Sequence, residues 1–289
     1  MSMFCFQCEQ TARCTGCTSY GVCGKDPETA ALQDLVIHAV KGLAQYAHRA
    51  RQLGVTDAAV NVGTVEALFT TVTNVNFDPA RVAEVARKLA VLRDRAKALY
   101  EKAAAKAGEP VQRLGGPAAW QPAADLKGLV AQGEAVGVEA RRARFGEDVA
   151  GLQELLVYGM KGAAAYADHA HILGKDDDGV YAFFHEALNA LAEDVADVGR
   201  LLGLCLGCGA CNLKAMELLD AANTGAYGHP EPTPVRITPV KGKAILVSGH
   251  DLKDLDALLK QTEGKGINVY THGEMLPCNA YPGLKKYKH

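Results

Sequence analysis

Two stretches of the chain share one pattern of apolar and polar positions. Residues 32–54 (LQDLVIHAVKGLAQYAHRARQLG) and 152–174 (LQELLVYGMKGAAAYADHAHILG) are identical at 11 of 23 positions. In each copy apolar residues recur every three or four positions, which predicts an amphipathic helix. Asp26, Pro27 and Glu28 give the first helix a start signal. Because one such helix cannot bury its apolar stripe alone, each copy predicts a small helical bundle.

Further helical patterns follow each copy, at residues 64–75, 79–105, 180–204 and 212–222. Between the two units, residues 108–125 contain three prolines and predict a linker. We therefore predict a helical region over residues 1–228 that carries two related bundles, at about 26–107 and 126–225.

The pattern changes in the last quarter of the chain. A proline-rich stretch ends at residue 239, and short apolar runs at 243–247 and 267–271 then flank a helical pattern at 251–263. A strand, a helix and a second strand in this order predict parallel strands. We predict that residues 240–289 begin a doubly wound parallel α/β domain, so the fold class is multidomain α and α/β. Two strands cannot complete such a sheet, so we expect the domain to be incomplete or to pair with another chain.

Composition and charge narrow the class of protein. The chain has 31 Lys and Arg against 33 Asp and Glu, a formal net charge of −2 and no basic block, which argues against nucleic-acid binding. Unbroken apolar runs are too short to span a membrane, and the first residues lack a secretory signal. We expect a soluble, cytoplasmic protein that binds neither nucleic acid nor a membrane.

The chain has nine cysteines, and five of them fall within its first 23 residues: Cys5, Cys8, Cys14, Cys17 and Cys23. In a reducing compartment such thiols are more often metal ligands than disulfides. A short, glycine-rich segment cannot bury five thiols, which also favours metal binding. Four thiolates hold either a tetrahedral zinc or a cubane iron–sulfur cluster, and the spacing does not separate the two.

The other cysteines carry weaker signals. Cys205, Cys208 and Cys211 lie on one face if a helix continues through them, which favours packed thiols. The glycines of this segment weaken a helix and leave a loop site open as the alternative. Cys278 has no partner in the sequence.

Two residues follow the carboxyl ends of the predicted strands. His250 follows the first strand and Glu274 the second. Ligand sites in open α/β sheets gather at this edge, and neighbouring strands lie about 4.8 Å apart. An imidazole and a carboxylate can therefore converge on one metal. The alternatives are that His250 caps the next helix and that Glu274 is a solvated loop residue.

Several long motifs identify a family. They are FCFQCEQT…GCT…GVCGK, LQDL…KGLAQYA with its repeat, AMELLDAANT…YG, and SGHDLKDL…LLKQTEGKGINVYTHGEMLP. At these residues the chain resembles the hybrid cluster proteins, also called hydroxylamine reductases or prismane proteins. The resemblance covers essentially all 289 residues but only about the first half of a typical member. It implies two helical bundles followed by α/β domains.

The resemblance also implies an iron–sulfur cubane near the amino terminus. The family motif C-x2-C-x8-C-x5-C, which holds a [4Fe–4S] cluster, falls on Cys5, Cys8, Cys17 and Cys23. Cys14 is then the extra thiol.

A second centre is implied in the last part of the chain. The family binds a hybrid iron–sulfur–oxygen cluster through one His, two Glu and four Cys. Its His and its first Glu fall on His250 and Glu274, as catalytic ligands, and the remaining ligands lie beyond His289. The family gives Cys205 and Cys211 no ligand role.

The activity implied for the complete protein is the reduction of hydroxylamine to ammonia and water by two electrons and two protons. Nitric oxide is the other substrate proposed for this family, and an electron donor protein would supply the cubane. One alternative is a truncated or split half that holds the cubane and is inactive without a C-terminal partner chain. Another is a structural zinc-binding interaction protein.

Overall fold

The computed structural model describes residues 3–289 and is mainly helical. Its α-helices are α1 (Pro27–Gln52), α2 (Ala58–Thr70), α3 (Pro79–Ala107), α4 (Leu126–Val136), α5 (Val138–Phe145), α6 (Glu147–Ile172), α7 (Asp178–Ala192), α8 (Val198–Tyr227), α9 (Leu252–Thr262) and α10 (Pro282–Lys285). The strands are β1 (Lys243–Val247) and β2 (Ile267–Thr271), and short 3₁₀ helices cover Ala12–Cys14, Gly116–Ala119 and Gly273–Ala280.

The chain divides into two compact units. The first unit runs to Asp168 and includes Asp177–Ala215, and the second combines His169–Asp176 with Met216–His289. Two of the boundaries therefore fall inside α6 and α8, and the third, between Asp176 and Asp177, lies just before α7.

The first unit is built around α1. This helix packs against α2, α3, α4 and α7 and carries fully buried side chains along most of its length, such as Leu32, Leu35 and Leu43. Asp26 caps its first turn, where the carboxylate accepts the Thr29 amide at 2.6 Å. The predicted start of this helix is thus confirmed.

Two predicted helix boundaries are wrong. The helix predicted at 64–75 begins at Ala58 instead, because Asp57 accepts the amides of Ala59 and Val60 and caps an earlier turn. The pattern at 180–204 is interrupted between α7 and α8, where Asp194 adopts a left-handed backbone with φ 57°.

The segment predicted as a linker, residues 108–125, packs against α1. Its 3₁₀ helix places Ala118 in the core, where the Ala118 amide donates to Gln45 Oε1 at 3.0 Å. Gly42 of α1 allows this close approach, since a Cβ at that position would lie 2.2 Å from the Pro117 carbonyl oxygen.

The second unit contains the strand–helix–strand crossover. Strands β1 and β2 are parallel, in a register that pairs Lys243 with Ile267 and Val247 with Thr271, which confirms the predicted orientation. The apolar face of α9 packs into this unit's own core through Leu252, Leu255 and Leu259. Whether these strands belong to a larger doubly wound sheet, and whether the sequence repeat forms two related bundles, stay predictions.

Within the described residues, α8 is long and apolar enough to cross a membrane by length and composition, and 28% of its most apolar window is buried. Core helices of soluble proteins meet the same criteria. The sequence contains no unbroken apolar run that marks this helix as a membrane candidate, because glycine and small polar residues interrupt its apolar positions.

Candidate metal centres

A short backbone pairing folds the amino-terminal segment onto itself. Cys5 and Cys17 form an isolated antiparallel bridge, in which the Cys5 amide donates to the Cys17 carbonyl at 3.1 Å and the Cys17 amide donates back at 2.8 Å. Gly16 makes the turn before Cys17 with φ 127°, and a Cβ there would lie 2.6 Å from the Phe4 ring. The turn therefore requires glycine and brings two distant cysteines side by side.

Four cysteines of this segment share one small cavity. The cavity wall contains Cys5, Cys8, Cys17 and Cys23. Cys14 does not line this cavity and is exposed. The thiols that surround the cavity are thus the same four that the family motif selects, and the fifth thiol is not among them.

Polar groups surround the sulfurs. The Ala12 amide donates to Cys17 Sγ at 3.5 Å, and Lys25 Nζ donates to Cys5 Sγ at 4.0 Å. The Ala12 hydrogen bond lowers the pKa of the Cys17 thiol below its usual value, aided by Thr11 and Lys25 and opposed by burial. Amide and ammonium donors of this kind stabilise thiolates, which are the form that binds iron or zinc.

The donor set fits an iron–sulfur cluster. Cysteine thiols around one cavity, with hydrogen-bond donors to two of the sulfurs, are protein ligands of the kind that such clusters take. Between residues 3 and 289, no group of three or more His, Cys, Asp or Glu side chains is arranged to hold a single metal ion.

Aromatic and amide contacts attach the cysteine segment to the helices. Phe6 packs edge-on between Phe4, at 5.2 Å between ring centroids, and Tyr158 of α6, at 5.8 Å. Gln7 accepts from Lys161 Nζ at 3.0 Å through its side-chain oxygen. The alternation Phe4, Cys5, Phe6 thus places aromatic rings against the helical core and the thiol on the cavity side.

The second unit brings His250 and Glu274 together. His250 Nε2 lies 3.0 Å from Glu274 Oε2, at the carboxyl ends of β1 and β2. Asp251, not His250, caps α9, because its carboxylate accepts the Lys253 amide at 2.8 Å. Both side chains remain largely exposed, at 58% and 69%.

Other residues at this edge were given no role from the sequence. The His272 amide donates to the Val247 carbonyl at 2.8 Å and extends the strand pairing, and Ser248 Oγ lies 3.3 Å from His272 Nδ1. The His169 ring lies 6.5 Å from the His250 ring, between centroids. No spacing in the sequence connects His169 to this edge, because it lies 81 positions before His250.

The three cysteines of α8 are packed thiols. The helix is continuous through Cys205, Cys208 and Cys211, which confirms the helical alternative and excludes the loop. Burial raises the pKa of Cys208 to about 11 and that of Cys211 to about 12, so both stay protonated at neutral pH. Gly159 of α6 leaves room for Cys208, whose sulfur would lie 2.9 Å from a Cβ at that glycine. Packing thus overrides the weak helix propensity of the neighbouring glycines.

Cys278 is buried as well. Burial raises its pKa to about 11, while a hydrogen bond with Thr271 lowers it by less. It belongs to the apolar core of the second unit.

The cysteine cavity and the crossover fit a known class of iron–sulfur oxidoreductases. The chain belongs to the Prismane/CO dehydrogenase family, which it matches over residues 3–289. This confirms the resemblance seen in the sequence motifs.

Curated relatives are named hydroxylamine reductases. The chain is 56% identical to that of Rhodospirillum rubrum over 287 residues, which cover 99% of this chain and 52% of the relative. It is 53% identical to the protein of Methanocella arvoryzae over 287 residues (99% and 52%) and 52% identical to that of Geobacter metallireducens over 291 residues (100% and 53%). The chain thus spans about half the length of the curated relatives it matches.

Proposed function

We propose that this chain forms the amino-terminal half of an iron–sulfur oxidoreductase that reduces hydroxylamine to ammonia and water. The reaction NH₂OH + 2e⁻ + 2H⁺ → NH₃ + H₂O breaks the N–O bond and balances in atoms and charge. The observation that carries the proposal is the shared cavity of four motif cysteines in a chain whose relatives bear that name. Nitric oxide, which is also a small nitrogen compound that can be reduced, is the second substrate we propose.

Four thiols would hold the [4Fe–4S] cluster: Cys5, Cys8, Cys17 and Cys23. The cluster, when bound, accepts and passes on single electrons. The backbone bridge between Cys5 and Cys17 fixes two of its ligands relative to each other, and the Ala12 and Lys25 donors offset negative charge on the sulfurs. Cys23 is exposed, so an electron donor protein would be able to reach the cluster from there.

His250 and Glu274 would supply two ligands to the hybrid iron–sulfur–oxygen cluster. A neutral imidazole nitrogen and a hard carboxylate oxygen suit iron that also binds oxygen. Their 3.0 Å contact holds the two side chains at one place on the sheet edge. The other ligands would come from residues beyond His289 or from a partner chain, so we propose that the 289-residue chain does not turn over hydroxylamine by itself.

Metal analysis tests the first part of the proposal. After anaerobic reconstitution with iron and sulfide, the wild-type chain should contain about four irons and four acid-labile sulfides. Cys17→Ala should lose them and Cys14→Ala should retain them, because Cys14 lies outside the cavity. Equal iron contents in the two variants, or one zinc and no iron in the wild type, would contradict the assignment.

Turnover tests the second part. Hydroxylamine reduction with a chemical reductant should be absent from the chain alone and should appear when the missing half is supplied as a fusion or a second chain. His250→Ala should abolish that activity and leave the cubane intact. Appreciable activity in the 289-residue chain alone would refute the split-half proposal.

A further inference from the structure

A second cavity lies beside the cysteine site, within the first unit. Its wall includes Gln33 and Asp34 of α1, Arg141 of α5 and Glu154 of α6. Cys5 contributes to this wall as well as to that of the cysteine cavity. We call this space the inner chamber. Its volume is about 20 Å³, which is enough for one water molecule.

Two residues of the chamber wall each carry a buried polar atom that has no hydrogen-bond partner within the described part of the chain: Gln33 Oε1 and Arg141 Nε. Gln33 is 4% exposed. Its amide orientation is fixed, because Gln33 Nε2 donates to the Asn76 carbonyl at 2.9 Å and leaves Oε1 on the other side. The terminal nitrogens of Arg141 donate to the Val136 carbonyl, at 2.6 Å, and to Glu154. A buried donor or acceptor that stays unpaired destabilises the folded state, so both atoms require a partner.

The two unpaired atoms define the chemistry of what binds. An anion can accept from Arg141 Nε but is repelled by Gln33 Oε1, and a cation has the opposite conflict. A small neutral molecule that both donates and accepts hydrogen bonds satisfies both atoms. Water is the abundant molecule of this class, and buried waters typically serve polar groups that lack a protein partner.

The sequence repeat provides a matched comparison for Gln33. Gln153 occupies the same position in the second copy and also donates to a loop carbonyl, that of Val195, at 2.8 Å. Gln153 does not line the inner chamber. Asp34 and Glu154 are likewise equivalent in the repeat, and both residues line the chamber.

We propose that the inner chamber binds one ordered water molecule, which accepts a hydrogen bond from Arg141 Nε and donates one to Gln33 Oε1. This water lies next to the cysteine site, since Cys5 and Lys25 line both spaces. Resting on the proposed function, we further infer that the water stabilises the reduced cluster, whose added negative charge favours a polar neighbour. Gln33 is then a positioning residue for the potential of the cluster.

High-resolution crystallography of the full chain tests the water site directly and does not depend on a bound cluster. The expected result is a solvent peak within about 3.2 Å of both Gln33 Oε1 and Arg141 Nε. A chamber without solvent, or side chains rearranged so that the two atoms pair with protein groups, would overturn the proposal. A chain that fails to bind iron but shows the peak would refute the proposed function and leave the water site standing.

Matched variants test the effect on the cluster. Gln33→Met and Gln153→Met each remove one amide bond to a loop carbonyl, so a merely structural role predicts similar losses of thermal stability and no difference in potential. We expect redox titration to give a lower midpoint potential for Gln33→Met and an unchanged one for Gln153→Met. Equal potentials in the two variants would overturn the inferred role of the water.

Discussion

One pair of glycines offers a sharp test of the packing of the first unit. Gly42 of α1 and Gly162 of α6 occupy the same position in the sequence repeat, within the shared Lys-Gly pair. Their surroundings differ. A Cβ on Gly42 would lie 2.2 Å from the Pro117 carbonyl oxygen, whereas a Cβ on Gly162 would meet nothing within 4 Å. Replacing each by alanine therefore separates helix propensity from packing.

The size of the difference follows from these contacts. Alanine gains about 1 kcal/mol over glycine in a helix interior, so Gly162→Ala should stabilise the protein by about 0.5–1 kcal/mol. Gly42→Ala has the same gain, but a carbon and a carbonyl oxygen need about 3.3 Å. The Pro117 backbone must therefore shift by about 1 Å, and overpacking of this kind costs about 1–3 kcal/mol or more. The shift also strains the hydrogen bond between the Ala118 amide and Gln45.

Urea denaturation followed by circular dichroism measures both variants against the wild type. We expect the free energy of unfolding to be lower for Gly42→Ala and higher for Gly162→Ala, with about 1–3 kcal/mol or more between them. Changes of the same sign and size in the two variants would show that residues 108–125 do not pack on α1 as described.

Two further predictions concern buried side chains. Burial lowers the pKa of His185 to about 3, helped by Arg51, which donates to His185 Nδ1 at 3.0 Å. Because this pKa lies below the usual 6.5, the contribution of the neutral ring to stability is complete above pH 6.5 and is lost as the pH falls toward 3. In urea titrations, His185→Gln should therefore reduce the dependence of the free energy of unfolding on pH between pH 6.5 and 5. An unchanged dependence would contradict the assignment of a neutral, buried His185. In the metal-free folded chain, iodoacetamide should modify the exposed Cys14 quickly. It should modify Cys208 and Cys211 only after unfolding, because both are buried and hard to ionise. Rapid modification of Cys208 or Cys211, detected by mass spectrometry, would contradict their packing.

The strand–helix–strand unit was predictable almost residue by residue. Apolar runs bounded by glycine and proline fixed β1 and β2 at their observed ends, and the order of elements required parallel strands. The order of elements also predicts that His250 and Glu274 lie at one edge of the sheet. The 3.0 Å distance between His250 Nε2 and Glu274 Oε2 agrees with this placement. Local signals suffice here because each element is short and has clear ends.

The helical region was less predictable, for reasons that depend on tertiary contacts. The glycines near Cys208 lower helix propensity, yet α8 is continuous there, and Cys208 packs against Gly159 of α6. The prolines of residues 108–125 indicate a linker, but Ala118 is buried against α1. The polar groups of the inner chamber come from α1, α5 and α6, and no spacing in the sequence shows that they meet.

The central claim is that four amino-terminal thiols bind one four-iron cluster, and Mössbauer spectroscopy of the chain reconstituted with ⁵⁷Fe tests it most directly. We predict that nearly all bound iron gives the signal of a [4Fe–4S] cluster, at one cluster per chain, and that Cys17→Ser removes this signal. Iron that gives another signal, or a cubane signal that persists in Cys17→Ser, would contradict the account.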